Sequence, residues 1–171
     1  MNRYRQLLLT GAVLAAFLFQ VAVTPRFKLF GVHPNLILVV AVVVAVQDGP
    51  LEGAVVGFAG GLLMDVASHQ VMGVGALTFT LAAFLSGVLK EMFMTYSILL
   101  PVMLVFIASV FEISAHQAVL ALLGVENLPP FRVAVLFAAA FYDVLAVFVI
   151  YPLMRRFRFA VKDELAIGAG R

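Results

Sequence analysis

The sequence contains no cysteine, and few of its residues carry a charge. The absence of cysteine excludes disulfide bonds, thiolate metal sites and cysteine nucleophiles. Asp, Glu, Lys and Arg make up only 12% of the 171 residues, whereas soluble domains usually contain about 25%. The net charge of +2 is too small for a nucleic-acid-binding surface, so we expect no nucleic-acid partner.

Hydrophobic residues make up 64% of the sequence and form long continuous runs. A chain this short could not bury so much apolar surface in water, so lipid is the solvent that suits this composition. The runs do not alternate polar with apolar residues, which excludes a transmembrane β-barrel. We therefore predict an all-α integral membrane protein, folded as one helical bundle without a soluble domain.

Six apolar runs suit membrane-crossing helices, which need about 20 residues each. The predicted spans are residues 6–23, 34–47, 51–67, 72–89, 98–123 and 131–154. We interpret the first run as a span and not as a cleaved signal peptide, because no small-x-small site follows it and Pro25 lies in that region. The second run is short, so we expect it to extend towards Phe30, to tilt little or to be broken.

The basic residues predict the orientation, because Lys and Arg favour cytoplasmic loops. With six spans, one side carries eight of them and the other three. The eight are Arg3, Arg5, Lys90, Arg155, Arg156, Arg158, Lys162 and Arg171, and the three are Arg26, Lys28 and Arg132. We therefore predict that both termini are cytoplasmic. We also expect Arg155, Arg156 and Arg158 to anchor the chain to anionic lipid headgroups.

Glycines recur along the third predicted span at a spacing that places them on one side of a helix. They are Gly53, Gly57, Gly60 and Gly61. Small residues at this spacing let two helices approach closely in lipid, where hydrophobic burial gives no driving force. The pattern predicts either ordinary packing within the chain or a surface for a ligand or a partner's helix.

Four ionisable residues lie within the apolar runs, namely Asp65, Glu112, His116 and Asp143. Such residues are costly in lipid, so they normally face the interior of a bundle and have a partner. They could form an ion or ligand site, or a structural cluster that fixes how the helices pack. We expect no catalysis, because Ser114 and His116 are too close along a helix to face each other as nucleophile and base. No metal-ligand spacing, phosphate loop or dinucleotide motif is found, so no cofactor or metal is expected.

Several of these motifs together resemble one family. They are His33-Pro34-Asn35-Leu36-Ile37-Leu38, the stretch from Gly53 to Gly57-Phe58, Gly60-Gly61-Leu62-Leu63-Met64-Asp65, and Gly73-Val74-Gly75-Ala76-Leu77. In these residues the sequence resembles the MreD family of bacterial rod shape-determining membrane proteins, best between residues 34 and 89. The family positions matched are Pro34, Gly57, Gly61 and Asp65, with Asn35 in the same motif.

The resemblance implies a non-enzymatic scaffold of the cell-elongation machinery in the bacterial plasma (inner) membrane. Its implied partners are MreC, the MreB filament, the glycosyltransferase RodA and the transpeptidase that works with RodA. Members of the family also resemble the six-helix substrate-binding subunits of energy-coupling-factor transporters. The alternative function is therefore the membrane subunit of a vitamin-type importer, with the ionisable residues lining a pocket. An intramembrane enzyme or lipid flippase is a third interpretation.

Overall fold

In the computed structural model, six α-helices follow one another along the chain. The structure describes residues 3–22, 34–68, 71–93, 99–125, 130 and 132–168, with side chains described for those between 9 and 156. The helices are α1 Arg3–Ala22, α2 Leu36–Asp48, α3 Pro50–Ser68, α4 Val74–Phe93, α5 Leu99–Leu122 and α6 Val133–Gly168. The described residues contain no strand, so the predicted all-helical class is confirmed for them.

Some of the predicted residues fall outside this description. Residues Arg26, Lys28, His33 and Arg171 lie outside the described residues, as do the side chains of Arg3, Arg5, Arg158 and Lys162.

The short helix α2 lies at the centre of the bundle. All ten residues from Ile37 to Val46 are buried, and α2 contacts each of the other five helices. Its valine-rich sequence is apolar on every side, as expected for a helix that other helices enclose. With 13 residues, α2 is only about 20 Å long. It begins at Leu36 and does not continue back through Pro34 and Asn35.

Helices α3 and α4 run antiparallel in very close contact. A Cβ atom added to Gly57 would lie 2.6 Å from the carbonyl oxygen of Phe79, and one added to Gly87 would lie 2.5 Å from Cα of Pro50. Only glycine allows the two backbones to approach this closely along their whole length.

Four helices are long and apolar enough to cross a membrane among the described residues. They are α3, α4, α5 and the part of α6 from Val133 to Arg156, while α1 and α2 contain shorter apolar segments. Large apolar side chains such as Phe58, Phe141 and Phe148 are exposed on the outer surface of the bundle, which is the arrangement expected where lipid surrounds a protein.

Helix α6 extends beyond the predicted sixth span at its carboxyl end. The predicted span ends at residue 154, but the helix continues through Pro152 to Gly168. The hydrophobicity that marks a span ends near Arg155, whereas Arg, Lys, Glu, Leu and Ala after it are good helix formers. The end of the lipid-facing segment and the end of the helix are therefore different positions.

Candidate functional site

Asp65 lies at the end of α3 and caps the beginning of α4. Its Oδ2 accepts hydrogen bonds from the backbone N–H groups of Gly73, at 2.8 Å, and Ala76, at 3.1 Å. Its Oδ1 accepts one from the N–H of Gly75 at 2.9 Å. The side chain is 3% exposed. The first N–H groups of a helix have no partner within the helix, so a buried carboxylate at this position satisfies them and interacts favourably with the helix dipole.

Two glycines explain why the cap of α4 comes from another helix. Gly73 precedes α4 and has φ +97, a conformation that favours glycine, and glycine has no side chain with which to cap. A Cβ atom added to Gly75 would collide with Oδ1 of Asp65. Gly73 therefore allows the turn before α4, and Gly75 leaves the space that the Asp65 carboxylate occupies.

Asp143 of α6 caps the beginning of α2 in a similar way. Its Oδ1 accepts a hydrogen bond from the backbone N–H of Asn35, and its Oδ2 accepts one from the hydroxyl of Ser109 on α5 at 2.7 Å. Asp143 is 2% exposed. The Oδ1 atom of Asn35 in turn accepts from the N–H of Leu38 at 3.2 Å. The Pro34-Asn35 motif thus precedes a buried helix, and side chains accept hydrogen bonds from N–H groups at its beginning that have no partner within the helix.

Gln20 of α1 also binds the beginning of α2. Its Nε2 donates to the carbonyl oxygen of Pro34 at 2.8 Å, and its Oε1 accepts from the N–H of Leu36 at 2.9 Å. Gln20 is buried. Its amide therefore satisfies one backbone acceptor and one backbone donor at the beginning of the central helix.

Replacing Gln20 with leucine should destabilise the protein even though it makes a membrane helix more apolar. The substitution leaves the carbonyl of Pro34 and the N–H of Leu36 without this partner, and each unsatisfied buried group costs about 1–3 kcal/mol. Thermal unfolding in detergent micelles measures the effect. Leu18→Gln, on the exposed face of α1, is the matched control for added polarity. An unchanged melting temperature for Gln20→Leu would contradict the capping role.

Glu112 and His116 lie together on α5, one helical turn apart. Oε1 of Glu112 is 3.6 Å from Nδ1 of His116, and 3.4 Å from the hydroxyl of Thr78 on α4. That hydroxyl is also 3.3 Å from the carbonyl oxygen of Gly75, and its single hydrogen can serve only one acceptor at a time. Glu112 is 6% exposed. Its hydrogen bonding is therefore weaker than that of Asp65 or Asp143.

These side chains lie at one end of the bundle, which we call the polar end. It comprises Gln20, Asn35, Asp65, Thr78, Ser109, Glu112, His116 and Asp143. It joins the carboxyl ends of α1 and α3 to the beginnings of α2 and α4, and it extends to the middle of α5 at Ser109 and of the apolar part of α6 at Asp143. Glu112 contacts His116 directly. The hydroxyl of Thr78 connects this pair to Gly75, whose N–H group donates to Asp65. Asp143 binds the beginning of a different helix, α2. Among the described residues, no group of three His, Asp or Glu could hold a metal ion.

The four predicted glycines of α3 all contact neighbouring helices of the same chain. An added Cβ would collide with Ala45 of α2 at Gly53, with Ile37 of α2 at Gly60, and with the backbone of α4 at Gly57 and Gly61. A four-residue step turns about 40° around a helix. Around the helix axis, Gly60 and Gly53 therefore lie on the side of α2 and Gly57 and Gly61 on the side of α4, and these contacts support the packing alternative.

The other predicted residues have simpler surroundings. Arg155 and Arg156 are exposed near the end of the apolar part of α6. The hydroxyl of Ser114 donates to the carbonyl oxygen of Val110 in its own helix at 2.8 Å. This contact directs the hydroxyl to the helix backbone.

Three residues of the polar end were not predicted as site residues, namely Gln20, Thr78 and Ser109. Each is a neutral polar residue within an apolar run, and each is buried and hydrogen-bonded to a neighbouring helix. Extending the search from ionisable to all polar residues within the apolar runs would have found them.

Comparison with known proteins identifies the family. The family profile of the rod shape-determining protein MreD matches residues 1–160. Neither a curated protein nor a solved structure matches the chain. The matched residues include Pro34 and Asn35 at the beginning of α2 and the Asp65 that caps α4. Because the match covers nearly the whole sequence, the chain belongs to the MreD family of rod shape-determining membrane proteins.

Proposed function

We propose that the chain is a non-enzymatic scaffold of the cell-elongation machinery in the bacterial plasma membrane. It binds a transmembrane helix of MreC and so takes part in an assembly with MreB, RodA and the transpeptidase that controls peptidoglycan synthesis. Membership of the MreD family is the observation that supports this most strongly. In this proposal the chain crosses the membrane six times and both termini are cytoplasmic, so the polar end lies towards the outer surface.

The hydrogen bonds of the buried acids favour a scaffold over an importer subunit. A small-molecule site would need carboxylates that are available to a ligand. Asp65 accepts from three backbone N–H groups, and Asp143 from one N–H and one hydroxyl. Both side chains are thus used to fix the beginnings of α4 and α2, which is what a rigid docking platform requires.

The exposed face of α1 is the surface that we assign to the MreC helix. Gly11 lies within this helix, and a Cβ atom added to it would meet nothing within 4 Å. Ala15 follows at the spacing that places both residues on one face, and both are exposed. The glycines of α3 are covered by α2 and α4, whereas this small-residue face is open to a partner. Small residues four apart allow a second helix to approach closely in lipid.

Ala15→Leu and Gly11→Leu should each lower the amount of MreC that co-purifies by about fivefold or more, because overpacking a close helix contact costs about 1–3 kcal/mol. Both variants should fold, since the new side chains enter open space. Ala118→Leu makes the same change as Ala15→Leu at an exposed position of α5, and it should leave co-purification unchanged. Normal MreC recovery with both α1 variants would exclude this interface.

A further inference from the structure

The last part of α6 is a helix that extends well beyond the apolar segment. The apolar segment ends at Arg156, and the helix continues to Gly168. The 12 additional residues extend about 18 Å at 1.5 Å per residue. None of the five other helices ends in such an extension of charged sequence, as far as the structure describes them. Scaffolding through α1 does not account for it.

The sequence of this extension has the pattern of a helix at a membrane surface. Basic residues occupy positions 155, 158 and 162, and apolar residues occupy positions 157, 161 and 165. Steps of three and four place each set along one line of a helix, and the two lines are adjacent. The acidic Asp163 lies about 200° around the helix from position 165, whereas Glu164 lies about 20° from position 157, at the edge of the apolar line that faces away from the basic line. An apolar line beside a basic line is the arrangement of helices that lie in the plane of the headgroups.

Pro152 gives α6 a position at which it can change direction. It lies within the helix, four residues before Arg156, and proline removes one hydrogen bond from the helix and favours a bend. A bend there lets the first part of α6 cross the bilayer while the last part turns towards its surface.

We propose that residues 157–168 of α6 lie along the membrane surface and bind anionic lipid headgroups, with Arg155, Arg158 and Lys162 supplying the positive charge. Charge complementarity identifies the ligand, because Arg155, Arg156, Arg158 and Lys162 lie within eight positions at the end of the membrane segment, and with Asp163 and Glu164 they give residues 155–168 a net charge of +2. The binding is additional to the proposed scaffold function and does not require MreC.

Fluorescence quenching in nanodiscs tests this inference with the full chain. The sequence contains no tryptophan, so Leu165→Trp and Asp163→Trp each introduce a single reporter. Position 165 is nine residues beyond Arg156, about 13 Å if the helix continues upright. In discs that contain phosphatidylglycerol, brominated lipid should quench Leu165→Trp strongly and Asp163→Trp weakly. In discs of phosphatidylcholine alone, quenching of Leu165→Trp should be largely lost.

Charge variants test whether the basic side chains of the extension hold it at the lipid surface. Adding Arg158→Gln and Lys162→Gln to Leu165→Trp should reduce its quenching to the level of Asp163→Trp, whereas adding Lys90→Gln at the end of α4 should not. High salt should also reduce the quenching, because it screens attraction to headgroups. Equal quenching at positions 163 and 165, or quenching independent of anionic lipid, would overturn the proposal. Quenching of position 165 that requires added MreC would assign the extension to a protein partner and would overturn it too.

Discussion

Gly61→Leu is expected to prevent the bundle from folding, and even Gly61→Ala should destabilise it strongly. A Cβ atom at this position would lie 2.5 Å from the carbonyl oxygen of Gly75 and 2.7 Å from Cα of Ala76. These are backbone atoms, which cannot rotate away as a side chain could, so α3 and α4 would have to separate. Overpacking usually costs about 1–3 kcal/mol, and we expect Gly61→Ala to lie at the upper end of that range.

The melting temperature and the yield of monodisperse protein in detergent measure this effect. Gly11→Ala is the matched control, since the added methyl group meets no atom within 4 Å. It should be neutral or stabilising, because alanine is favoured over glycine within a helix by about 1 kcal/mol. Equal melting temperatures for Gly61→Ala and the unchanged protein would contradict the close packing of α3 and α4.

Asp65→Asn should destabilise the protein clearly more than Asp143→Asn, although the two substitutions are chemically identical. Asp65 uses both carboxylate oxygens to accept from backbone N–H groups. An asparagine has only one oxygen, so its NH₂ group would face at least one N–H donor. The N–H group that is left without an acceptor, and its repulsion by the NH₂ group, should together cost about 1–3 kcal/mol.

The surroundings of Asp143 can accept the same substitution. An asparagine oxygen can still accept from the N–H of Asn35, and its NH₂ group can donate to the hydroxyl oxygen of Ser109. The Ser109 hydrogen can then be donated to the carbonyl oxygen of Val105, which is already 2.9 Å away. We expect Asp143→Asn to change stability by less than about 1 kcal/mol. Asp143→Leu, which removes both acceptors, should be strongly destabilising.

Thermal unfolding of the three variants in one detergent provides the comparison. The hydrogen-bond geometry predicts that Asp143→Asn is the most stable of them. If Asp65→Asn proved as stable as Asp143→Asn, the cap of α4 would not depend on a carboxylate. If cells with Asp65→Asn lose control of their shape, the thermal unfolding of this variant must be measured as well, because a folding defect alone would produce that loss.

The helical class and the approximate positions of the helices could be predicted from the sequence, because continuous apolar runs are a strong signal in lipid. The placement of α2 at the centre could not, since its valine-rich run is compatible with contact to lipid or to other helices. The shortness of this run gave a partial indication of the central position. In the structure, the side chains of Gln20, Asn35 and Asp143 bind the beginning of α2 and explain where this short helix begins.

The candidate residues were predictable as buried polar groups but not in their pairing. Asp65 and Asp143 each act on the beginning of a different helix, and sequence spacing contains no information about such contacts between helices. The glycine spacing predicted close packing. It did not predict that Gly53 and Gly60 contact α2 whereas Gly57 and Gly61 contact α4, because that division depends on the rotation of α3 within the bundle.

Photocrosslinking in living cells tests the proposed scaffold most directly. A photoreactive amino acid placed at Leu14 or Leu18, on the exposed face of α1, should crosslink to the transmembrane helix of MreC. The same amino acid at Phe141, on the exposed face of α6, should give no MreC product. Crosslinks to MreC from α1 but not from α6 are the predicted result. Crosslinks from α6 alone, or none from either helix while MreC still co-purifies, would contradict docking of MreC on α1.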